Sequence, residues 1–238
     1  DVILLTETWA NTGDKFELNG FVYYNYARTN KHKNAKRNSG GIGIFIRKDL
    51  INGIVIGRCS EEVVAWIMLE KKSFGLESDV YIANAYVVPE SSVHLNTDAF
   101  GVIQRDVADI PPSCDVILCG DYNAHTNVMY DYEAIQIHGT DGELADLLPN
   151  ELDDACNIIA KMHSNKQLVR HTKDMKPINA HGAQLLELCK TSGLLIANGR
   201  LGDDKGVGCF TRIETTGCSV VDYVMASPRI FNLIQGFK

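Results

Sequence analysis

Val116-Ile-Leu-Cys-Gly-Asp121-Tyr-Asn123-Ala124 decides the reading of this chain: an apolar run closes on Gly120, and Asp121 and Asn123 follow two positions apart. A short apolar run bounded by glycine reads as a buried strand. Gly120 ends that strand tightly and presents Asp121 and Asn123 on the same side of the following turn. The same pair also fits an Asx turn, which both residue types form readily.

Three further clusters repeat the pattern of polar residues at the end of an apolar strand: Leu4-Leu-Thr-Glu7-Thr8, Ile82-Ala-Asn84-Ala-Tyr86 and Ser219-Val-Val-Asp222-Tyr223. In an α/β sheet the carboxyl ends of strands converge on the usual ligand crevice, so these side chains can meet although far apart in sequence. Carboxylates gathered there form a hard oxygen site, which suits Mg²⁺ or Mn²⁺ together with a phosphate.

Segments rich in β-branched and aromatic residues predict strands over 2–6, 21–27, 42–47, 63–70, 80–87, 115–119, 194–197 and 220–226. Apolar spacing of three and four residues predicts helices over 98–107 and 182–192, the second stopped by Gly193. Residues 126–180 have little periodicity and read as a long surface excursion, with helical turns over 143–148 and 150–163. No linker or repeat divides the chain, so a single mixed α/β domain over residues 1–238 is expected.

With 45% hydrophobic and 22% charged residues the chain has the balance of a globular protein. No apolar run approaches the roughly 18 residues that span a bilayer, and the start lacks a signal peptide, so an intracellular protein, nuclear or cytoplasmic, with no membrane partner is expected. The seven cysteines are odd in number and scattered, which favours reduced thiols over a disulfide framework or zinc site. A net charge of −7 argues against a generic nucleic-acid coat protein. It leaves room for a nuclease that meets DNA through a local basic loop, and residues 28–37, with Lys31, Lys33, Lys36 and Arg37, offer one. A solvated loop between two strands fits the same residues.

Taken in order, LLTET, SGGIGIFIR, NAYVVP, VILCGDYNA and SVVDYVMAS resemble the successive motifs of the endonuclease/exonuclease/phosphatase superfamily. The stretch from Asn179 through HGAQLLELCKTSGLLIANGR, followed by GCSVVDY, is most similar to the endonucleases of LINE-type retrotransposons. The resemblance covers essentially the whole chain and implies a DNase I-like four-layer α/β sandwich, two packed mixed β-sheets flanked by helices. It implies that Glu7 binds the metal, that Tyr86 contacts the scissile phosphate, and that Asp121 orients or deprotonates the attacking water. Asn123 would hydrogen-bond the phosphate, Asp222 would orient a catalytic histidine, and Ser219 matches a position near the phosphate. Arg200 is read either as a DNA-backbone contact or as a salt-bridged surface residue. DNA is the implied substrate, with a reverse transcriptase in the same polyprotein as the implied partner.

The family pattern also has an Asn-bearing strand before the LTET glutamate and a closing Ser-Asp-His segment, and neither is found in these 238 residues. The chain is therefore expected to be clipped at both ends and feebly active by itself. His125, near Asp121 in sequence, is read as a solvated loop histidine. Two other readings stand beside the DNA-nicking endonuclease: a phosphatase or sphingomyelinase relative, and a catalytically silent remnant or binding module.

Overall fold

The computed structural model describes residues 1–29, 38–94, 98–132, 162, 168–215 and 217–238. Two sheets stack in an α/β sandwich. The smaller contains β1 (Val2–Thr6), β2 (Phe21–Tyr26) and β3 (Ile42–Arg47), in the antiparallel order β1-β3-β2. The larger contains β4 (Ile54–Ser60), β5 (Val64–Leu69), β6 (Val80–Tyr86), β7 (Asp115–Asp121), β8 (Leu195–Ile196) and β11 (Asp222–Ala226), in the order β4-β5-β6-β7-β11-β8. Its β6–β7 pair is parallel and its other pairs are antiparallel. A separate hairpin joins β9 (Arg212–Glu214) and β10 (Gly217–Ser219).

Strand alternation sends successive side chains to opposite faces, and here it divides the core. From β5, Val64 and Trp66 join one apolar cluster while Ala65 and Ile67 join another. The first cluster packs the large sheet against α2 (Ala99–Ala108) and α3 (Ala180–Ser192) through Phe100, Ile103, Leu185 and Leu188. The second fills the space between the sheets with Ile42, Ile44 and Ile46 of β3. A short helix, α1 (Lys71–Phe74), follows β5.

α3 begins where the side chain of Asn179 accepts a hydrogen bond from Gly182 N, and it stops at Gly193, which adopts the left-handed conformation that caps helices. The two predicted helical turns near 143–148 and 150–163 lie outside the described residues, apart from Met162. The described parts of the 126–180 stretch run along the surface, with Val128, Met129, Tyr130, Val169 and Met175 exposed, but they are anchored by Thr126, Asp131, Leu168, Arg170 and Asp174, which are buried. Arg170 donates through Nη1 to Thr126 Oγ1 at 3.0 Å and through Nη2 to the carbonyls of Asn127 at 2.7 Å and Met129 at 3.0 Å. Polar residues without periodicity here build a buried hydrogen-bonded network.

Candidate active site

Register places the chemistry. Tyr86 closes β6 directly opposite Asp121 on β7, and Asp222 opens β11 opposite the same Asp121. Residues paired across neighbouring strands share a face, so the phenol and two carboxylates form one row across three strands. Asp222 stands at the start of its strand, not the end expected from sequence, because β11 runs antiparallel to β7.

Glu7 reaches this row from the small sheet, one residue past β1. The Tyr86 hydroxyl donates to Glu7 Oε1 at 2.5 Å, and Asn84 Nδ2 donates to Leu5 O at 2.9 Å. Two side chains of β6 thus tie down the segment that carries the glutamate. Glu7 has φ 52°, a left-handed conformation that non-glycine residues seldom adopt.

The turn after β7 is an Asx turn, as one of the two sequence readings has it. Asn123 N donates to Asp121 Oδ1 at 2.9 Å, closing an Asx turn, while Asn123 Nδ2 donates to Val87 O at 2.9 Å. Gly120 is required for this approach: its φ is 144°, and a Cβ built on it would lie 1.9 Å from Ala85 O. Behind the turn, Asn179 Nδ2 donates to Asn123 O at 2.9 Å, and Asn179 Oδ1 accepts from His125 N at 2.8 Å. One asparagine therefore caps α3 and clamps the Asp121–Asn123 turn.

The electrostatics are those of crowded acids. Burial first, then the charges of Asp222 and Glu7, push the Asp121 carboxyl up to about 7. Burial likewise raises Asp222, opposed by a hydrogen bond from Thr211 and by the Arg212 charge. Burial, reinforced by the bond to Glu7, raises the Tyr86 phenol, so it stays protonated and donates. A divalent cation fits this set, since it would offset the mutual repulsion while using only one or two protein carboxylates and keeping water ligands. Among the described residues no group of three or more His, Cys, Asp and Glu is placed to hold a metal ion by itself.

Two cations stand nearby, Arg212, which sequence reasoning passed over, and Arg28, which it placed in the basic loop. Arg212 on β9 lowers both Asp121 and Asp222 by its charge, and its Nη2 lies 2.6 Å from Glu214 Oε1. Arg28, the first residue of the basic loop, sits over the Tyr86 ring with Cζ 5.8 Å from the centroid. A cleft of about 290 Å³ adjoins the row, lined by Thr6, Asn84, Asp121, Asn198, Thr211 and Asp222 among others. A larger cavity of about 450 Å³ opens near Cys114, at the other end of β7. There the Arg229 guanidinium is engaged with Asp115 and the carbonyls of Pro112 and Cys114, so the carboxylate row, not the larger cavity, holds the reactive groups.

Other expectations are corrected or fall outside view. Arg200 is salt-bridged, as one of its two readings has it, but buried instead of at the surface: it is 4% exposed, and its guanidinium lies 2.5 and 2.7 Å from the two Asp131 carboxylate oxygens and also donates to Leu168 O and Ile196 O. His125 is not simply solvated, because its Nδ1 lies 2.8 Å from Oδ2 of buried Asp174, which also accepts from Val220 N at 2.9 Å. Ser219 is buried on β10, paired in register with Arg212. Lys31, Lys33, Lys36 and Arg37 lie outside the described residues. The described cysteines are free thiols, and no helix among the described residues is long and apolar enough to cross a membrane.

Solved structures resembling this one include an endonuclease/exonuclease/phosphatase family protein from Leptotrichia buccalis C-1013-b, at 12% identity and TM-score 0.46, covering 95% of this chain and 75% of that one. A protein of the same description from Beutenbergia cavernae DSM 12333 matches at 15% identity and TM-score 0.45, covering 96% of this chain and 55% of that one. ANGEL2, a 2′,3′-cyclic phosphatase, matches at 12% identity and TM-score 0.43, covering 87% of this chain and 62% of that one. The chain thus spans less than two thirds of the length of the last two. Comparison with curated proteins gives no match. The model of the Endonuclease/Exonuclease/phosphatase family matches residues 1–234, and the chain belongs to that family, whose members are metal-dependent hydrolases.

Proposed function

We propose that this domain hydrolyses DNA phosphodiesters with Mg²⁺ or Mn²⁺, as the strand-nicking endonuclease of a LINE-type retrotransposon protein that also carries a reverse transcriptase. The observation that carries the reading is the row Tyr86–Asp121–Asp222, level across three strands, with Glu7 bonded to Tyr86. Nicking would leave a 3′ hydroxyl from which reverse transcription can start.

Phosphodiester hydrolysis needs an in-line water, charge neutralisation on the phosphoryl oxygens and help for the leaving oxygen. Asp121, pushed up to about 7, has the basicity a general base needs near neutral pH. Its Oδ1 is held by Asn123 N, which fixes the carboxylate for a water in the cleft. Tyr86 holds Glu7 in place through its hydroxyl, and Asn123 stands beside the base to contact the phosphate. Bound at Glu7, the cation would supply charge and Lewis acidity. Asp222 would orient whatever cationic group meets the phosphate, and Arg212, whose charge acts on Asp222, is one such group. The subfamily reading rests on the LINE-like stretch of sequence that begins at Asn179.

The test is relaxation of supercoiled plasmid by the protein expressed from its own reading frame, with Mg²⁺ or with EDTA. Mg²⁺-dependent, Asp121-dependent nicking is expected. Asp121-dependent hydrolysis of sphingomyelin or an inositol phosphate, without nicking, would transfer the site to lipid or inositol substrates.

A further inference from the structure

Arg28, just past β2, is an enclosed arginine whose donors are unspent. Its side chain is 10% exposed, yet among the described residues its guanidinium makes no hydrogen bond, and its ionic partner Glu62 stands 3.8 Å from Nε. An arginine carries five N–H donors in a fixed fork, and a charge taken out of water is ordinarily paired and hydrogen-bonded. Arg200 obeys that rule by binding both oxygens of Asp131 and two carbonyls. Arg28 does not.

The enclosure is firm. The guanidinium lies over the Tyr86 ring, with Cζ 5.8 Å from the centroid, and Gly40 walls it on another side. A Cβ on Gly40 would lie 3.0 Å from Arg28 Cζ, 3.1 Å from its Nη1 and 3.1 Å from Tyr86 Cε1, and the backbone there is left-handed at φ 67°. Glu62 Oε1 accepts from Thr29 N at 2.8 Å, which anchors the chain directly after Arg28. The charge of Arg28 acts on the Tyr86 phenol, while that of Arg212 acts on Asp121 and Asp222. The two cations therefore flank the carboxylate row from opposite ends. A reacting phosphate belongs between them, where Glu7 and Asp121 meet, and the fork over the Tyr86 ring is set to one side of it. A planar fork with open donors matches the oxygens of a phosphate two at a time.

We propose that Arg28 forms a second phosphate subsite, which holds a phosphate neighbouring the scissile one on the same substrate. The inference rests on the phosphodiesterase reading above and adds a specificity-determining residue to it: diesters with a neighbouring phosphate are selected over isolated ones. Polynucleotides and phosphorylated inositols both offer such a neighbour, and the test separates them.

Binding is measured by calorimetry with Ca²⁺ as the divalent ion. One ligand pair is thymidine 3′,5′-bisphosphate and thymidine 5′-monophosphate; the other is inositol 1,4-bisphosphate and inositol 1-phosphate. In at least one pair the unaltered protein should bind the bisphosphate at least about tenfold more tightly, as a charged hydrogen-bonded contact does. Arg28→Gln should cut that ratio to below about threefold. Glu62→Gln keeps an acceptor for Thr29 N but removes the charge competing for Arg28, so it should tighten bisphosphate binding about two- to fivefold. A merely structural role for Arg28 would not produce that gain. Preference in the thymidine pair assigns the second phosphate to nucleic acid, and preference in the inositol pair alone assigns it to a headgroup. Absence of preference in both pairs, failure to bind, or a preference that survives Arg28→Gln overturns the proposal. The first comparison uses the unaltered chain; should Arg28→Gln not fold, unchanged or weaker bisphosphate binding by Glu62→Gln overturns it instead. Turnover of bis(4-nitrophenyl) phosphate, a diester with no second phosphate, reads the underlying activity separately. Turnover without bisphosphate preference overturns the Arg28 assignment alone, and preference without turnover supports Arg28 while removing the hydrolytic reading.

Discussion

Asp121 and Asp222 face each other across the antiparallel β7–β11 pair, two acids in direct register where β7 ends and β11 begins. Like charges so placed are destabilising, and the protein tolerates them because Asp121 takes up a proton more readily than an ordinary aspartate. Its carboxyl is pushed up to about 7, against 3.8 for the free side chain. In the absence of divalent cations the folded state therefore holds a proton that the unfolded chain releases near pH 4. Stability from this group is full below that pH and is lost as pH rises toward 7. Asp121→Asn should flatten the decline between pH 4 and 7 and raise stability at pH 8 by about 1–3 kcal/mol. Urea melts of both proteins in EDTA across that range check it; parallel curves would mean that Asp121 titrates normally.

The Tyr86–Glu7 bond predicts a separation of fold from function. Tyr86→Phe keeps the buried ring and removes one hydrogen bond, so stability should fall by only about 1 kcal/mol. Glu7 then loses the donor that orients it, and apparent Mg²⁺ affinity should drop about 10- to 100-fold. Thermal melts across a Mg²⁺ titration measure both effects, and unchanged affinity would show that Tyr86 does not position Glu7.

Arg200 and Asp131 form a buried pair, with side chains 1% and 0% exposed. Arg200→Ala leaves Asp131 charged without its cation and should destabilise the fold by about 3–5 kcal/mol. The salt dependence of DNA binding by whatever remains folded should not move. A salt slope reduced by about one counterion with stability intact would restore Arg200 as a phosphate contact.

The four basic residues outside the described region are predicted to meet DNA backbone, not bases. Replacing Lys31, Lys33, Lys36 and Arg37 together with Ala should weaken binding for all sequences and flatten its salt dependence. Binding measured at several salt concentrations tests this, and an unchanged slope would make the loop a solvated turn.

β1 and β3 were legible to the residue because their apolar runs end sharply. β4 was not: Gly57 and Arg58 interrupt its pattern, and the pairing with β5 shifts register between Ile56 and Cys59. β9 was invisible because all three of its residues are exposed, and Arg212 was missed with it. The site was legible where side chains close strands, at Tyr86 and Asp121, since a sheet sets their direction by parity. The salt-bridged reading of Arg200 held, but its burial was not legible, because a buried arginine needs a partner and Asp131 lies in a stretch without periodicity. The clamp formed by Asn179 left a signal only as a helix N-cap, with no hint of its second bond to the turn.

The central claim is that Glu7 and Asp121 act in one hydrolytic centre, and a double-mutant cycle tests it most directly. Mg²⁺-dependent nicking rates are to be measured for the unaltered protein, Glu7→Gln, Asp121→Asn and the double variant, each checked to be folded at the assay temperature by a cooperative melting transition. Groups that work as a unit lose nearly all their effect when either is removed. Each single variant should therefore fall by several orders of magnitude, and the double variant should be no slower than the worse single one by more than about tenfold. Losses that simply multiply, or a single variant that nicks at the unaltered rate, would contradict the account.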